Sequence, residues 1–203
     1  MTDHASGGVL YPTITPYKTD YLSVSGHQIY YELSGNPDGP AALFLHGGPG
    51  GGTSARDRCF FNPDHYRIVL MDQRGSGKSK PNASYDYEGA LFNNSTNYLI
   101  EDIELLRAEL SLDHWQLILG GSWGSTLAVA YAEKYPKQCR QILLRGVFTA
   151  LPDEIDALFQ DGTTANHYPE EWEKYVSYIE KTSQNWNLEK QNLLAAYQKR
   201  LFD

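Results

Sequence analysis

The stretch WQLILGGSWGSTLAVAYAEKYP, residues 115–136, joins a short apolar run, a glycine-rich turn and a second apolar segment. The run at 115–121 lacks polar alternation, which is typical of a strand buried on both faces of a parallel sheet. The segment from Ser122 is rich in small and apolar residues and reaches Pro136, where a helix must stop because proline cannot continue it. The stretch therefore predicts a strand, a sharp turn and a helix.

The turn contains the pattern G-x-S-x-G, with Gly120 and Gly124 two positions either side of Ser122. A serine on a strained turn between a strand and a helix has small neighbours, because larger side chains would collide with the adjoining elements. A glycine-rich chain also produces this pentapeptide by chance, in which case Ser122 is a surface serine on a structural turn. Since the pattern lies between a predicted strand and helix, we interpret Ser122 as a catalytic nucleophile.

A serine nucleophile in acyl transfer needs hydrogen-bond donors for the oxyanion that develops on the substrate. In this kind of turn one donor is the backbone N–H of the next residue, here Trp123. The second comes from a loop after an earlier strand, and HGGPGGG (46–52) is placed to supply it. We expect Gly48 to be that donor, with Gly47 as the alternative. A plain glycine-rich turn is the competing interpretation of 46–52.

Similar patterns recur through the first part of the chain. Three further apolar runs precede turns, at 41–46, 66–72 and 141–147. Two more, at 21–25 and 28–33, flank a turn as in a hairpin. One helical face is predicted by apolar residues spaced by three and four, namely Leu99, Ile103, Leu106 and Leu110. Alternation of strands and helices predicts an α/β fold, a three-layer sandwich around a mostly parallel sheet. Functional loops are expected at the carboxyl ends of its strands.

The composition of the sequence changes after Phe148. Residues 149–203 are helix-like, rich in charged and aromatic side chains, and contain no further strand-like run. We therefore predict a sheet-containing core over 1–148 and a helical insertion over 149–203.

Charge and hydropathy exclude several classes of partner. With 17 Lys and Arg against 25 Asp and Glu, the net charge of -8 opposes binding to nucleic acid, whose phosphates attract clustered cations. No apolar run is long enough to span a membrane, and the N-terminus lacks the basic and apolar regions of a leader. We expect a cytoplasmic protein without a membrane partner; the sequence does not indicate its oligomeric state.

Cofactor and metal motifs are absent from the sequence. GSGKS (75–79) resembles a phosphate-binding loop, but Asp72 stands where that motif requires a glycine, and 46–52 does not fit G-x-G-x-x-G. Cys59 and Cys139 are far apart and lack metal-ligand spacing. No cluster of His, Asp or Glu has ligand spacing either, so neither a cofactor nor a metal is expected.

Several motifs together carry a family resemblance. HGGPGGG (46–52), DQRGSGKS (72–79), GGSWGSTLA (120–128) and LLRGVF (143–148) resemble, in order and spacing, the proline iminopeptidase (prolyl aminopeptidase) family of α/β-hydrolase serine peptidases. The likeness extends over nearly the whole chain. It implies an α/β-hydrolase fold with the start of a helical cap, and a sheet whose last strands would lie beyond this chain. The implied reaction is removal of an N-terminal proline from a peptide substrate through an acyl-enzyme.

The resemblance also implies roles for individual residues. Ser122 matches the family nucleophile, and Gly48 and Trp123 match its oxyanion donors. Phe148 matches an aromatic residue that lines the pocket for the proline ring, and we place Gly47 beside it among the substrate-binding residues. A core phenylalanine at a strand end is the alternative interpretation of Phe148. At two further matching positions, Asp72 and Arg74, we expect a buried ion pair that shapes the loop below the site.

The base that must activate Ser122 is not evident in the sequence. In α/β-hydrolases the acid and then the histidine follow the nucleophile in the chain. The one histidine after Ser122 is His167, which lies in the helical region, and we interpret it as a solvent-facing residue. The resemblance implies that the catalytic Asp and His lie beyond position 203. Two alternatives therefore stay open: a related esterase or amidase of the same fold, and a catalytically inactive hydrolase-like binding protein.

Overall fold

The computed structural model of the chain describes residues 10–160 and 162–202. Residues 1–9, Asp161 and Asp203 belong to the predicted regions but lie outside the described residues. The chain divides into two compact units, the first ending at Phe148 and the second beginning at Thr149.

The first unit is built on a mixed six-stranded sheet of order β1-β2-β4-β3-β5-β6. Its strands are β1 (Lys18–Val24), β2 (His27–Gly35), β3 (Ala41–Leu45), β4 (Arg67–Met71), β5 (Leu117–Gly121) and β6 (Ile142–Arg145). β4, β3, β5 and β6 are parallel neighbours, whereas β2 is antiparallel to both β1 and β4. The predicted α/β fold, its mostly parallel sheet and its N-terminal hairpin are therefore confirmed.

Helices cover the sheet in the first unit. They are a 3-10 helix (Ala55–Phe60), α1 (Tyr87–Leu91), α2 (Thr96–Glu109) and α3 (Trp123–Lys134). The predicted face of α2 is confirmed, because Leu99, Ile103, Leu106 and the capping Leu110 are all buried in one cluster with the sheet. On the opposite face of the sheet Phe44, Ile68 and Leu70 pack with Phe61. The strands are apolar without alternation because both of their faces are buried.

The described residues of the second unit form five helices joined by turns, and no strand. The helices are α4 (Pro152–Phe159), α5 (Thr163–His167), α6 (Pro169–Thr182), α7 (Trp186–Glu189) and α8 (Leu193–Phe202). Proline begins α4 and α6, a position where its missing N–H costs no helical hydrogen bond. Its small core is formed by Ile179, Leu193 and Ala196. Beside this core the rings of Tyr175 and Tyr197 stack with their centroids 4.6 Å apart. Throughout the described residues, every helix is too short or too polar to cross a membrane.

Strand β6 forms one edge of the sheet. It pairs with β5, and no second strand pairs with it among the described residues. Its apolar side chains are only partly covered, with Ile142 40% and Leu143 48% exposed. The other edge strand, β1, carries Lys18 and Asp20 at its exposed positions. The two edges therefore differ in polarity.

Candidate active site

Ser122 stands on a sharp turn between β5 and α3. Its backbone has φ 53° and ψ −123°, in the left-handed half of conformational space, and the residue is exposed. The Ser122 N–H donates to the carbonyl oxygen of Arg145 at 2.9 Å, which ties the turn to the end of β6. The Ser122 carbonyl oxygen accepts hydrogen bonds from Ser125, from its N–H at 2.8 Å and its hydroxyl at 2.6 Å. These bonds hold a strained residue in place with its side chain at the surface.

The glycines around Ser122 are required by the close approach of backbone. A Cβ at Gly120 would collide with the carbonyl oxygen of Gly124, and a Cβ at Gly124 would collide with that of Leu45 in β3. Neither carbonyl can move without displacing a helix or a strand. The pattern G-x-S-x-G is therefore a packing requirement of the contacts that α3 makes with β5 and β3.

The glycine loop at 46–52 lies directly beside Ser122. A Cβ placed on Gly47 would stand 3.2 Å from the Cβ of Ser122 and 3.0 Å from the carbonyl oxygen of Gly121. Gly48 follows with φ +124°, a conformation that favours glycine, and the loop closes as the Gly51 N–H donates to the Gly47 carbonyl at 3.2 Å. Trp123 is the first residue of α3, so its N–H has no acceptor within the helix.

The backbone of Phe148 is hydrogen-bonded to the start of α3. Its N–H donates to the hydroxyl oxygen of Ser125 at 3.0 Å, and its carbonyl oxygen accepts from the hydroxyl of Thr126. Ser125 and Thr126 lie in the first turn of α3. The chain after β6 is thus fixed to the helix that follows Ser122, with the Phe148 side chain half-buried.

His46, the first residue of the glycine loop, is a structural histidine that no sequence pattern singled out. In the neutral ring Nε2 accepts the Gln73 N–H at 3.0 Å, and Nδ1 lies 2.9 Å from the Gly47 carbonyl oxygen and 3.2 Å from the Gly52 nitrogen. Burial lowers the pKa of the ring and favours this neutral form. Its position immediately before Gly47 and Gly48 was the one available signal.

The predicted ion pair between Asp72 and Arg74 is wrong. Arg74 instead forms a buried bidentate pair with Asp102 of α2, at 2.6 and 2.7 Å. Asp72 is fully buried and accepts from the N–H and hydroxyl of Thr53, at 2.6 and 2.7 Å, and from the N–H of Lys78 at 2.7 Å. Asp72 thus holds the glycine loop and the segment at Lys78, whereas Arg74 holds α2.

A histidine base is not in place at Ser122 within the first unit. Among residues 10–148, no histidine ring is hydrogen-bonded to the Ser122 hydroxyl; His46 and His27 bond to backbone groups elsewhere. His167 lies in α5 of the second unit, exposed, with Nδ1 2.9 Å from the carbonyl oxygen of Thr163. The described site thus consists of an exposed serine at positive φ and the glycine loop beside it.

The sequence profile of the alpha/beta hydrolase fold matches residues 40–201. The chain belongs to the α/β-hydrolase fold family. Curated relatives of this α/β-hydrolase include a probable proline iminopeptidase of Leptolyngbya boryana, 45% identical over 95% of the chain and 56% of the relative. Proline iminopeptidases of Neisseria meningitidis serogroup A and Arabidopsis thaliana are 44% and 46% identical over 95% of the chain, and 58% and 47% of their own lengths.

The predicted resemblance to proline iminopeptidases is thereby confirmed. The chain spans about half the length of the curated relatives it matches. Solved structures agree on the fold. A proline iminopeptidase-related protein of Thermus thermophilus matches 76% of this α/β-hydrolase and 64% of its own chain at 24% identity, with a TM-score of 0.53. An epoxide hydrolase variant of Vigna radiata matches 80% of this chain and 47% of its own chain at 20% identity, with a TM-score of 0.56.

Proposed function

We propose that Ser122 is the nucleophile of an acyl-transfer reaction of the prolyl aminopeptidase type. The observation that carries the proposal is an exposed serine at positive φ between β5 and α3, with the glycine loop packed against its Cβ. Strained conformations of this kind persist where a function requires them. The backbone of this turn is the one that nucleophilic serines occupy in the family's fold.

In this proposal the Ser122 Oγ attacks the carbonyl carbon of the substrate's N-terminal proline. Its proton passes to a base, the peptide beyond the scissile bond leaves as an amine, and water then hydrolyses the acyl-enzyme. The N–H groups of Gly48 and Trp123 donate to the oxyanion of each tetrahedral intermediate. The acid and base are the partners that the resemblance assigns to a later part of the polypeptide.

A peptide with an N-terminal proline is the substrate we propose, since the curated relatives are named proline iminopeptidases. Phe148 and Gly47 are proposed to contact the proline ring, for which an aromatic face is a suitable apolar surface. We further propose that the unit beginning at Thr149 is the cap-type insertion of the family. The cytoplasmic location stays a prediction.

The test is acylation of Ser122 by activated esters, with imidazole added as an external base. The chain is incubated with the p-nitrophenyl esters of proline and of acetate, and acylation at position 122 is followed over time by peptide mass mapping, because imidazole also promotes acylation of exposed amines and phenols. We expect faster acylation of Ser122 by the prolyl ester, no acyl group at position 122 in Ser122→Ala, and loss of the prolyl preference in Phe148→Ala. Acylation by acetyl but not prolyl ester would contradict the peptidase assignment and favour an esterase.

A non-catalytic binding protein is the second candidate. The observation in its favour is that no histidine of residues 10–148 is hydrogen-bonded to Ser122. If it is correct, the folded chain will bind proline-terminated peptides without forming an adduct with either ester, even with imidazole present.

A further inference from the structure

Gln73 occupies a buried position between the glycine loop and the turn that carries Ser122. It is 3% exposed and follows Asp72 at the carboxyl end of β4. Its side-chain amide acts as both donor and acceptor. Nε2 donates to the carbonyl oxygen of His46 at 2.9 Å, and Oε1 accepts from the indole Nε1 of Trp123 at 2.9 Å. One side chain therefore joins the start of the glycine loop to the first residue of α3.

The backbone of Gln73 strengthens the same connection. Its N–H donates to Nε2 of His46 at 3.0 Å, and Nδ1 of that ring lies 2.9 Å from the Gly47 carbonyl oxygen. Because both ring nitrogens are occupied by backbone groups, His46 acts as a spacer between Gln73 and the loop. A continuous chain of hydrogen bonds thus runs from Gly47 through His46 and Gln73 to Trp123.

The two ends of this series of hydrogen bonds lie in the segments that carry the proposed oxyanion donors. Gly47 precedes Gly48, whose N–H is one donor, and Trp123 supplies the other through its own N–H. Donors for an oxyanion work only when their separation is fixed beforehand. We infer that Gln73 is a positioning residue that sets the spacing between the Gly48 and Trp123 N–H groups. The inference rests on the proposed function of these donors.

The chemistry of the amide explains why glutamine suits this position. A glutamate would still accept from the Trp123 indole, but it would bring a carboxylate oxygen against the His46 carbonyl oxygen. A methionine of similar length would form neither hydrogen bond. Gln73→Met therefore releases both ends of the bridge, whereas Gln73→Glu releases the His46 end and keeps the Trp123 end.

The experiment compares both variants with the wild-type chain by ¹H–¹⁵N NMR. The matched control is Gln28→Met, since Gln28 is an exposed glutamine on β2. In Gln73→Met we expect shifted or exchange-broadened backbone amides at Gly48 and Trp123, and an upfield shift of the Trp123 indole proton. In Gln73→Glu the indole resonance should be retained while the Gly48 amide changes. Gln28→Met should leave all three resonances at their wild-type positions.

A second readout is the rate at which a fluorophosphonate labels Ser122 in the presence of imidazole. Loss of one oxyanion donor lowers rates by roughly a hundredfold, so a displaced donor should cost on the order of tenfold or more in Gln73→Met. Wild-type resonances at Gly48 and Trp123 in a folded Gln73→Met chain would overturn the inference, even if its melting temperature fell. Should that variant not fold, the same comparison in the isosteric Gln73→Glu decides. Absence of labelling in the wild type would count against the proposed function alone, because the NMR result stands without it.

Discussion

Ser122 adopts a backbone conformation that costs a non-glycine residue about 1–3 kcal/mol. Its φ of 53° persists because three hydrogen bonds, from its N–H to Arg145 and to its carbonyl from Ser125, hold the turn. Strain stored at an exposed serine contributes nothing to packing. It is explained if the turn must present the hydroxyl to a substrate.

Substitution of Gly124 tests the packing of this turn. Gly124→Ala would gain about 1 kcal/mol in helix propensity, but its Cβ would collide with the carbonyl oxygen of Leu45. We expect a net loss of about 1–3 kcal/mol in the free energy of unfolding, measured with urea. The control is Gly26→Ala, where a Cβ meets nothing within 4 Å and only the cost of φ +83° applies. A Gly124→Ala chain as stable as wild type would contradict the packing requirement.

Substitution of Asp72 tests its role as an acceptor for two loops. Asp72→Asn removes the charge and turns an NH₂ group toward the N–H donors of Thr53 and Lys78. We expect a loss of about 2–3 kcal/mol in unfolding free energy, because hydrogen bonds to a buried charged acceptor are weakened together. Asp64→Asn, at an exposed position, should change stability little. Equal effects of the two substitutions would argue against a loop-holding role.

At this scale the sequence predicts the residues of the turn but not their long-range partners. Ser122 and its glycines are recognisable because they form a pattern of five consecutive residues. The partner of Arg74 is Asp102, 28 positions away, and the contacts of Gln73 reach His46 and Trp123. Such pairings depend on how strands and helices meet in three dimensions, and no local pattern encodes them.

The contribution of the glycine loop to folding stability depends on a neutral His46 ring. Burial lowers the pKa of this ring below its ordinary value of 6.5, and the nearby carboxylates of Asp72 and Asp57 oppose that shift without reversing it. As pH falls below 6.5, the unfolded chain binds a proton that the folded ring does not. Folding stability contributed by His46 is therefore present above that pH and declines below it, with a limiting slope of about 1.4 kcal/mol per pH unit.

The measurement for His46 is the unfolding free energy of wild type and His46→Gln between pH 5 and 8. The variant should be less stable at pH 8 and should lose less stability on acidification, because it has no proton to bind at this position. The difference between the two chains should shrink as the pH falls. A difference that stays constant with pH would contradict a buried neutral ring.

Strands and helices were predictable where their own residues define a face. The apolar runs identified β3 to β6, and the spacing of Leu99, Ile103, Leu106 and Leu110 identified α2. The 3-10 helix and α1 follow no apolar period, since each is only five or six residues long and buries one side chain. Their conformation is set by capping side chains such as Asp86, which accepts from the Gly89 N–H at 3.0 Å.

For the whole molecule, the edge at β6 predicts association between chains. Ile142 and Leu143 are partly exposed on an edge where no described strand pairs with β6, so this edge offers a template for another strand, whereas β1 is protected by charge. We expect the chain to self-associate with rising concentration, as measured by light scattering. Leu143→Lys should reduce association, while Val129→Lys, at a 45% exposed position on α3, should not. A monodisperse wild-type monomer with a cooperative melt would contradict this prediction.

We propose that the fold presents Ser122 as a nucleophile beside its oxyanion donors. The decisive experiment treats the folded chain with a fluorophosphonate probe, with and without imidazole, and measures its intact mass beside that of Ser122→Ala. We expect one adduct, located on Ser122, that forms faster with imidazole and is absent from Ser122→Ala and from the urea-unfolded chain. A folded chain that forms no adduct even with imidazole, or an adduct that persists in Ser122→Ala, would contradict it.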